Sequence, residues 1–530
     1  MNLIQDAWLP FRMQDGSIQE LDIAEIIRPD VIDLALPRAD FQGAAYQLII
    51  GLLQTLLAPE NKSEWHRLYN NPPAVEELQG QLNKVIHAFN LIGEGPLFMQ
   101  DFDELVDASL NSVASLLIDA PGENGIKNNT DHFVKRGSNG VFSLPMAALA
   151  LFTLQINAPS GGQGHRVGLR GGGPLTNLLR PQTEQSSLWQ KIWLNIICKD
   201  VWKYDSPDLT SAKIFPWLNE TKVSKTKNTE LYANEVHPLT MYWSMPRRIR
   251  LEIEEGEKVC SITDNNISTY VSGYRTQNYG NNYSGAWRHP LTAYRFDPKK
   301  PEEIPNSVKA QPGGITYRYW DILVFGSESQ GQQCSLNIEN FYEISRRREQ
   351  VFGELPRLWC FGYDMDNMKA RGWYDISLPL FQLDLDQQTK MLLAIKELQE
   401  LTNKFRLELN KRIKEAWFER PGDAKGDTSF IAAQFWQKTE NIFFEAVQRL
   451  SQQEIYYPFE TATAENWLKS IRKITESLFD EYTLTVDVGD PKQLRRIMQA
   501  RRFLNIWLYA SKDIKNFKKQ HEISNQQEVA

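Results

Sequence analysis

The sequence predicts an α+β fold in two parts. A large, irregular mixed domain is expected over residues 1–375, followed by a four-helix bundle over 376–530. Three observations carry this. In the last third, apolar residues recur every three or four positions along four long stretches separated by polar or Gly/Pro-rich breaks. In the first two-thirds, helical and strand-like stretches alternate without a repeated βαβ rhythm, which argues against a doubly wound parallel sheet. A chain of 530 residues, 42% hydrophobic and 24% charged, also has the length and composition to build more than one core.

The bundle helices follow in order. From Asp384 to Glu419 one face carries Ile395, Leu398, Phe405, Leu409, Ile413 and Trp417, and PGDAKGD breaks the pattern. A second helix over about 428–452 carries Trp436, Ile442, Phe443, Ala446 and Leu450. A third has Trp467, Ile471, Ile474 and Leu478 along one side. After DVGDP, a fourth is expected to run to about 519 through Leu494, Ile497, Leu504, Trp507 and Ile514. Short connections make such helices antiparallel neighbours. Asp384 and Asp386 suit the start of the first helix, where the helix dipole favours acids.

In the first part, residues 41–58, 74–90 and 102–118 read as helical, whereas RRIRLEIEEG and ITYRYWDILVFG read as strands. The most apolar run, FQGAAYQLIIGLLQTLLAP, is interrupted by glutamines and glycines and is short for a membrane span, so it is expected as a buried helix ending at Pro59. The start MNLIQDAWLPFRMQDG lacks the pattern of a secretory signal. No membrane partner is expected. Cys198, Cys260, Cys334 and Cys360 are scattered without a CxxC pair, which fits a reducing, cytoplasmic setting and neither a zinc ribbon nor a disulfide framework.

The formal net charge is −7, so the chain taken whole is not built to adhere to nucleic acid. The average hides a local field. Between Phe133 and Thr183 there is no Asp or Glu, while Lys135, Arg136, Arg166, Arg170 and Arg180 are present. Within this window lies INAPSGGQGHRVGLRGGGPLTNLL, with seven glycines between Gly161 and Gly173. A surface that faces phosphate excludes acids, and glycine lets backbone N–H groups come where Cβ atoms would obstruct. Tight turns between packed elements are the structural alternative.

Enzyme classes fare poorly. The glycine run lacks the Lys-Ser/Thr end of a P-loop, and the helical stretch before it does not fit a dinucleotide fingerprint. Asp364 with Asp366, and Asp384 with Asp386, are acidic pairs without a nearby histidine or third acid. There is no HExxH and no nucleophile motif. No metal, cofactor or catalytic residue is expected. The last helix carries a basic stripe that includes Arg495 and Arg502, either a solvated bundle face or a set of phosphate contacts.

Several segments in order resemble one family. MNLIQDAWLPF, LALPRADFQGAAYQLIIGLLQTLLAP, GPLFMQDF, HFVKRGSNG, the glycine-rich segment and GYDMDNMKARGWYD, followed by a helical bundle, are similar to the CasA-type large subunit of the type I-E CRISPR surveillance complex, Cascade. The resemblance implies a non-enzymatic subunit that works with other Cascade proteins and the guide RNA. Such a subunit recognises the protospacer-adjacent motif (PAM) in double-stranded DNA, helps to open the strands for R-loop formation, and takes part in recruiting a helicase–nuclease. It also implies site residues. Ser160, Gly161, Gly162, Gln163 and Gly164 would be the glycine loop that approaches the minor groove, with Arg166 and Arg170 beside it on phosphate or packing the loop. Asp366, Asn367 and Met368 would form the wedge beneath the PAM, with Asp366 a departure from the Asn of some relatives. Phe133, Val134, Lys135 and Arg136 would form the PAM or anchoring loop, with Lys135 where the family has Asn. Asn278, or Arg275 beside it, stands where a minor-groove lysine is expected. A general DNA-binding or protein scaffold that does not read a PAM is the alternative.

Overall fold

The computed structural model describes residues 1–120, 140–159, 161–162, 164–300, 302–311, 314–345, 355–366, 368–381, 385–423, 426–452, 457–484 and 491–524. They fall into two compact units, residues 1–311 with 322–380, and 312–321 with 381–530. The mixed α/β character with a helical C-terminal region is as the sequence predicts.

The first unit is organised around two helices with little polar surface, α1 (Ala39–Leu57) and α2 (Leu144–Asn157). Fifteen of the nineteen α1 residues are buried, so its length of apolar sequence serves a protein core. No helix among the described residues is long and apolar enough to cross a membrane. Helix α2 begins where the Ser143 hydroxyl accepts the Met146 N–H, with Pro145 in its first turn. Phe89, Phe98, Phe152, Phe215, Trp217 and Trp243 pack ring to ring beside it, with edge-on and tilted contacts of 5.2–6.2 Å. Such rings supply large apolar area with fixed geometry.

Strands β1 (Leu9–Met13), β2 (Ile18–Leu21) and β3 (Val31–Leu34) make an antiparallel sheet with β1 central. Strands β4 (Leu110–Ser112) and β5 (Phe142–Ser143) join a long hairpin later in the chain, and β6 (Thr176–Arg180) joins another. The first hairpin is β7 (Arg248–Val259) with β8 (Asn266–Gln277); β8 pairs with β4, β5 and β7. The second is β9 (Arg357–Asp366) with β10 (Lys369–Pro379), in which β9 lies between β10 and β6.

Two expectations are corrected here. Residues 102–118 are not a helix but a loop, then β4, then a 3-10 turn at Val113–Leu116. Carboxylates divert the chain: Asp101 accepts the Asp103 N–H at 2.9 Å and Asp103 accepts the Leu105 N–H at 3.1 Å, turns that compete with helix. ITYRYWDILVFG is not a strand. It forms a 3-10 turn at Tyr317–Tyr319 and a short helix at Trp320–Val324, started by Thr316, whose hydroxyl accepts the Arg318 N–H.

The second unit holds α3 (Leu385–Trp417), α4 (Ser429–Ser451), α5 (Thr461–Leu484), α6 (Pro491–Ala510) and α7 (Lys512–Gln520). Ile395, Leu398, Phe405, Leu409 and Ile413 are buried on α3, as are Phe443 and Leu450 on α4 and Ile471 and Leu478 on α5. The fourth helix ends at Ala510, short of the expected 519. Ser511 leaves the helical conformation and its hydroxyl accepts the Ile514 N–H, starting a fifth, short helix. Residues 312–321 belong to this unit through Tyr317, whose ring stacks on Phe443 at 4.2 Å and whose hydroxyl lies 2.8 Å from that of Thr439.

Candidate nucleic-acid interface

The acid-free segment begins where α2 ends. After Asn157 the chain leaves the core and returns, closed by a bond from the Gly168 N–H to the Ala158 carbonyl at 3.1 Å. This bond holds together the two ends of the segment between Ala158 and Gly168. Two buried or half-buried arginines brace it from behind. Arg247 is fixed by a reciprocal pair with Gln155, its N–H to Oε1 at 3.0 Å and the Gln155 amide to its carbonyl at 2.9 Å. Its guanidinium donates to the Pro159 carbonyl. Arg166 donates to the Ser224 hydroxyl at 2.7 Å and carbonyl at 2.5 Å, and lies over the Tyr279 ring.

The loop is also stitched to the turn after β8, since the Tyr279 N–H donates to the Gly164 carbonyl at 2.7 Å. Gly164 has φ +79°, and a Cβ there would lie 2.8 Å from the Asn278 Cβ, so both conformation and space require glycine. His165 is held neutral: burial first, then the nearby Arg247 charge, lowers its pKa. A Cβ at Gly162, by contrast, would meet nothing within 4 Å among the described residues. The loop is thus tied down along its base and open at the Gly162 position. Ser160 and Gln163 lie outside the described residues.

The second half of the glycine segment does something different. Gly173 has φ +65°, and a Cβ there would lie 2.6 Å from Met365 Cγ and 2.9 Å from the Tyr363 carbonyl. It packs directly on β9, the first strand of the hairpin that carries the wedge residues. That hairpin is anchored at Tyr363, whose hydroxyl donates to buried Asp40 on α1 at 2.5 Å. Burial and the Asp40 charge push the Tyr363 pKa up. Near the tip, Asp364 is 1% exposed and accepts two bonds from Arg371, at 2.7 and 3.1 Å, which raise the Arg371 pKa. Asp364 is therefore a structural partner of β10. Asp366, 64% exposed, lies 3.7 Å from the same guanidinium. The strands pair as far as Asp366 with Lys369, and Met368 beyond them is 52% exposed. Asn367 lies outside the described residues.

A family model described as CRISPR-associated protein Cse1 matches residues 2–478. The chain belongs to the CRISPR-associated Cse1 family. The resemblance to CasA-type large subunits is thereby shown, and solved structures share the fold. Thermus thermophilus CasA (Cse1) superposes with a TM-score of 0.65 at 17% identity, over 96% of this chain and 99% of that one. Thermobifida fusca Cse1 gives 0.66 at 16%, over 98% of both chains. A chain of a structure described as a CRISPR RNA-guided surveillance complex gives 0.65 at 16%, over 95% and 99%.

The remaining site residues of this Cse1-family chain are placed as follows. Of the two roles the sequence offers Arg170, the structure favours packing. It is 4% exposed and donates to Thr176 Oγ1, Thr292 Oγ1, Gln47 Oε1, the Ile156 carbonyl and Asn157 Oδ1 at 2.9–3.3 Å. All five acceptors are uncharged, and burial lowers its pKa to about 10. Together with burial, its charge keeps His289 neutral, with a pKa well below the usual range. Arg275 is engaged by Glu252 at 3.2 Å and by the Val106 and Ala108 carbonyls. Asn278 is exposed beside Gly164. Arg495 and Arg502 are exposed on α6. Phe133, Val134, Lys135 and Arg136 lie outside the described residues.

Sequence reasoning missed Arg247, Ser224, Tyr279 and the Asp364–Arg371 pair. Nothing in PRRIR distinguishes an arginine that folds inward, and Ser224 and Arg166 lie 58 positions apart. All four cysteines are buried and unpaired, and among the described residues no group of three or more His, Cys, Asp or Glu is placed to hold a metal.

Proposed function

We propose that this chain is the non-catalytic large subunit of a CRISPR RNA-guided surveillance complex, and that it reads the PAM of double-stranded DNA through the loop of residues 160–164. The observation that carries this reading is the loop's construction: braced from behind by Arg247 and Arg166, fixed at Gly164, and open where Gly162 stands. A backbone held at Pro159 and Gly164, with open space where a Gly162 Cβ would stand, suits a narrow groove whose base pattern is degenerate, so several related PAMs would be accepted. One good base contact gives roughly 1–3 kcal/mol of discrimination. Opening a DNA step costs about 1.4 kcal/mol on average, so loop contacts with a wedge at 366–368 offset the first one or two steps. Guide RNA pairing then carries the sequence specificity, in the cytoplasm, ahead of a recruited helicase–nuclease.

The test is a gel-shift titration of guide-loaded complex, with and without this subunit, on two duplexes that differ only in the PAM. Tightening confined to the PAM-bearing duplex is the expected result. Equal tightening on both would replace the reading with that of a general DNA-binding scaffold, and no tightening would leave a protein scaffold.

A further inference from the structure

The two arginines closest to the glycine loop direct their guanidinium donors at protein oxygens, Arg166 at Ser224 and Arg247 at Pro159. A duplex brought against this loop still presents a phosphate row on each side of the groove, about 6 Å apart in B-form DNA. Its charge needs a counterpart beside the loop. The neighbouring segment supplies one. Residues 221–229, TKVSKTKNT, contain three lysines and no acid.

This segment is fixed to the loop through a continuous set of bonds. Ser224 is 2% exposed. Its N–H donates to the Tyr279 carbonyl at 2.9 Å and its hydroxyl to the Gly280 carbonyl at 2.6 Å, while its oxygens receive Arg166. Tyr279 in turn holds Gly164. The Thr229 hydroxyl donates to the Thr226 carbonyl at 2.6 Å and closes the following turn. Lys222 is used locally, on the Glu230 carbonyl at 2.7 Å and near Glu235 at 3.8 Å. Lys225 and Lys227 are both exposed.

We propose that Lys225 and Lys227 form a phosphate-binding shoulder beside the glycine loop, holding the sugar–phosphate backbone of the duplex that the loop faces. The inference rests on the proposed reading of the loop and adds the charge that reading lacks. A lysine ammonium on a four-carbon stem serves this purpose, because a phosphate row demands charge and reach and no fixed fork geometry. The backbone tether through Ser224 and Tyr279 holds the shoulder beside the loop, so that both reach the same stretch of duplex, the lysines supplying charge alone.

The experiment compares assembled guide-loaded complexes carrying the wild-type subunit, Lys225→Gln with Lys227→Gln, or Lys225→Arg with Lys227→Arg. Each is titrated on PAM-bearing and PAM-lacking duplexes at several salt concentrations. The glutamine pair should weaken both duplexes alike, leave their affinity ratio unchanged, and flatten the slope of log affinity against log salt by about 0.9 per lysine. The arginine pair should retain the slope. If the wild-type complex shows no PAM preference but the glutamine pair still flattens the slope, the shoulder stands and the loop reading falls. Unchanged affinity and slope in the glutamine pair would overturn the shoulder. So would a lost PAM ratio at unchanged slope, because it would make these lysines part of base reading or loop placement.

Discussion

The arginines of the glycine segment and those of helix α6 look alike in sequence and end in opposite situations. Arg166 and Arg170 are wrapped by the protein's own oxygens, Arg170 by five of them. Arg495 and Arg502 stand in solvent on α6, although Arg501 between them reaches Asp480 at 2.9 Å. The cause is the set of acceptors within reach of each. Along a helix the carbonyls are occupied by the i→i−4 bonds, so an outward-facing guanidinium finds no backbone acceptor. Arg166 and Arg170 instead meet uncharged acceptors brought in by other segments, the Ser224 hydroxyl and carbonyl for the first and the Gln47, Asn157, Thr176 and Thr292 side chains with the Ile156 carbonyl for the second. Where such acceptors gather without an acid, an arginine serves as internal cement. Concentration of positive charge in such a loop therefore says less about phosphate than the same charge on a helix.

Arg170 offers the largest break of this comparison. Arg170→Met removes the donor from five buried oxygens at once, and leaving buried acceptors unmade costs about 1–3 kcal/mol each where no water replaces the donor. Net destabilisation of at least about 3 kcal/mol is expected in urea unfolding. A stability near wild type with reduced duplex affinity would mean that the guanidinium serves DNA after all.

The two halves of the glycine segment give a middle-sized test. Gly173→Ala must strain a left-handed residue and push Met365 and the Tyr363 carbonyl, so the hairpin shifts and stability falls by roughly 1–3 kcal/mol. Gly162→Ala strains the backbone at φ +90° but meets no neighbour, and should cost about 1 kcal/mol or less. In the assembled complex the order should invert for PAM discrimination, with Gly162→Ala the more damaging. If Gly162→Ala leaves discrimination intact, the open tip is not where DNA is read.

Much of this was legible in advance wherever one periodicity governs. The apolar faces of α3, α4 and α5 are in the sequence because a bundle helix buries one stripe and nothing else competes. Leu494 shows the limit: it continues the apolar pattern yet is 47% exposed on α6. In the first unit, local chemistry wins over pattern. Asp101 and Asp103 turn a helical-looking stretch into loop, and Thr316 with Tyr317 turns a strand-like one into a helical turn. Among the site residues, the glycine run was visible because its residue types are unusual, whereas the wedge turn was found only through the family resemblance. Neither revealed the braces. Ser224, Tyr279 and Arg247 become partners of the loop only when segments distant in sequence meet, and no local signal marks them.

The smallest expected effect on stability sharpens the comparison from its other side. On α6 the arginines that face outward sit among Leu494, Met498 and Ile506, which are 47%, 63% and 51% exposed. Ile497, Ala500, Leu504 and Leu508 make the buried stripe of the same helix. Arg495→Gln with Arg502→Gln removes two charges and no internal bond, so the unfolding midpoint should stay within the change that about 0.5 kcal/mol produces. Because these guanidiniums are not enclosed by protein oxygens, any phosphate contact they make in the assembled complex will appear as a flatter salt slope, about 0.9 per arginine, equal on PAM-bearing and PAM-lacking duplexes. A destabilisation of several kcal/mol would show that solvent-facing arginines on this helix hold the bundle together, and the distinction between helix and loop arginines would no longer apply to this protein.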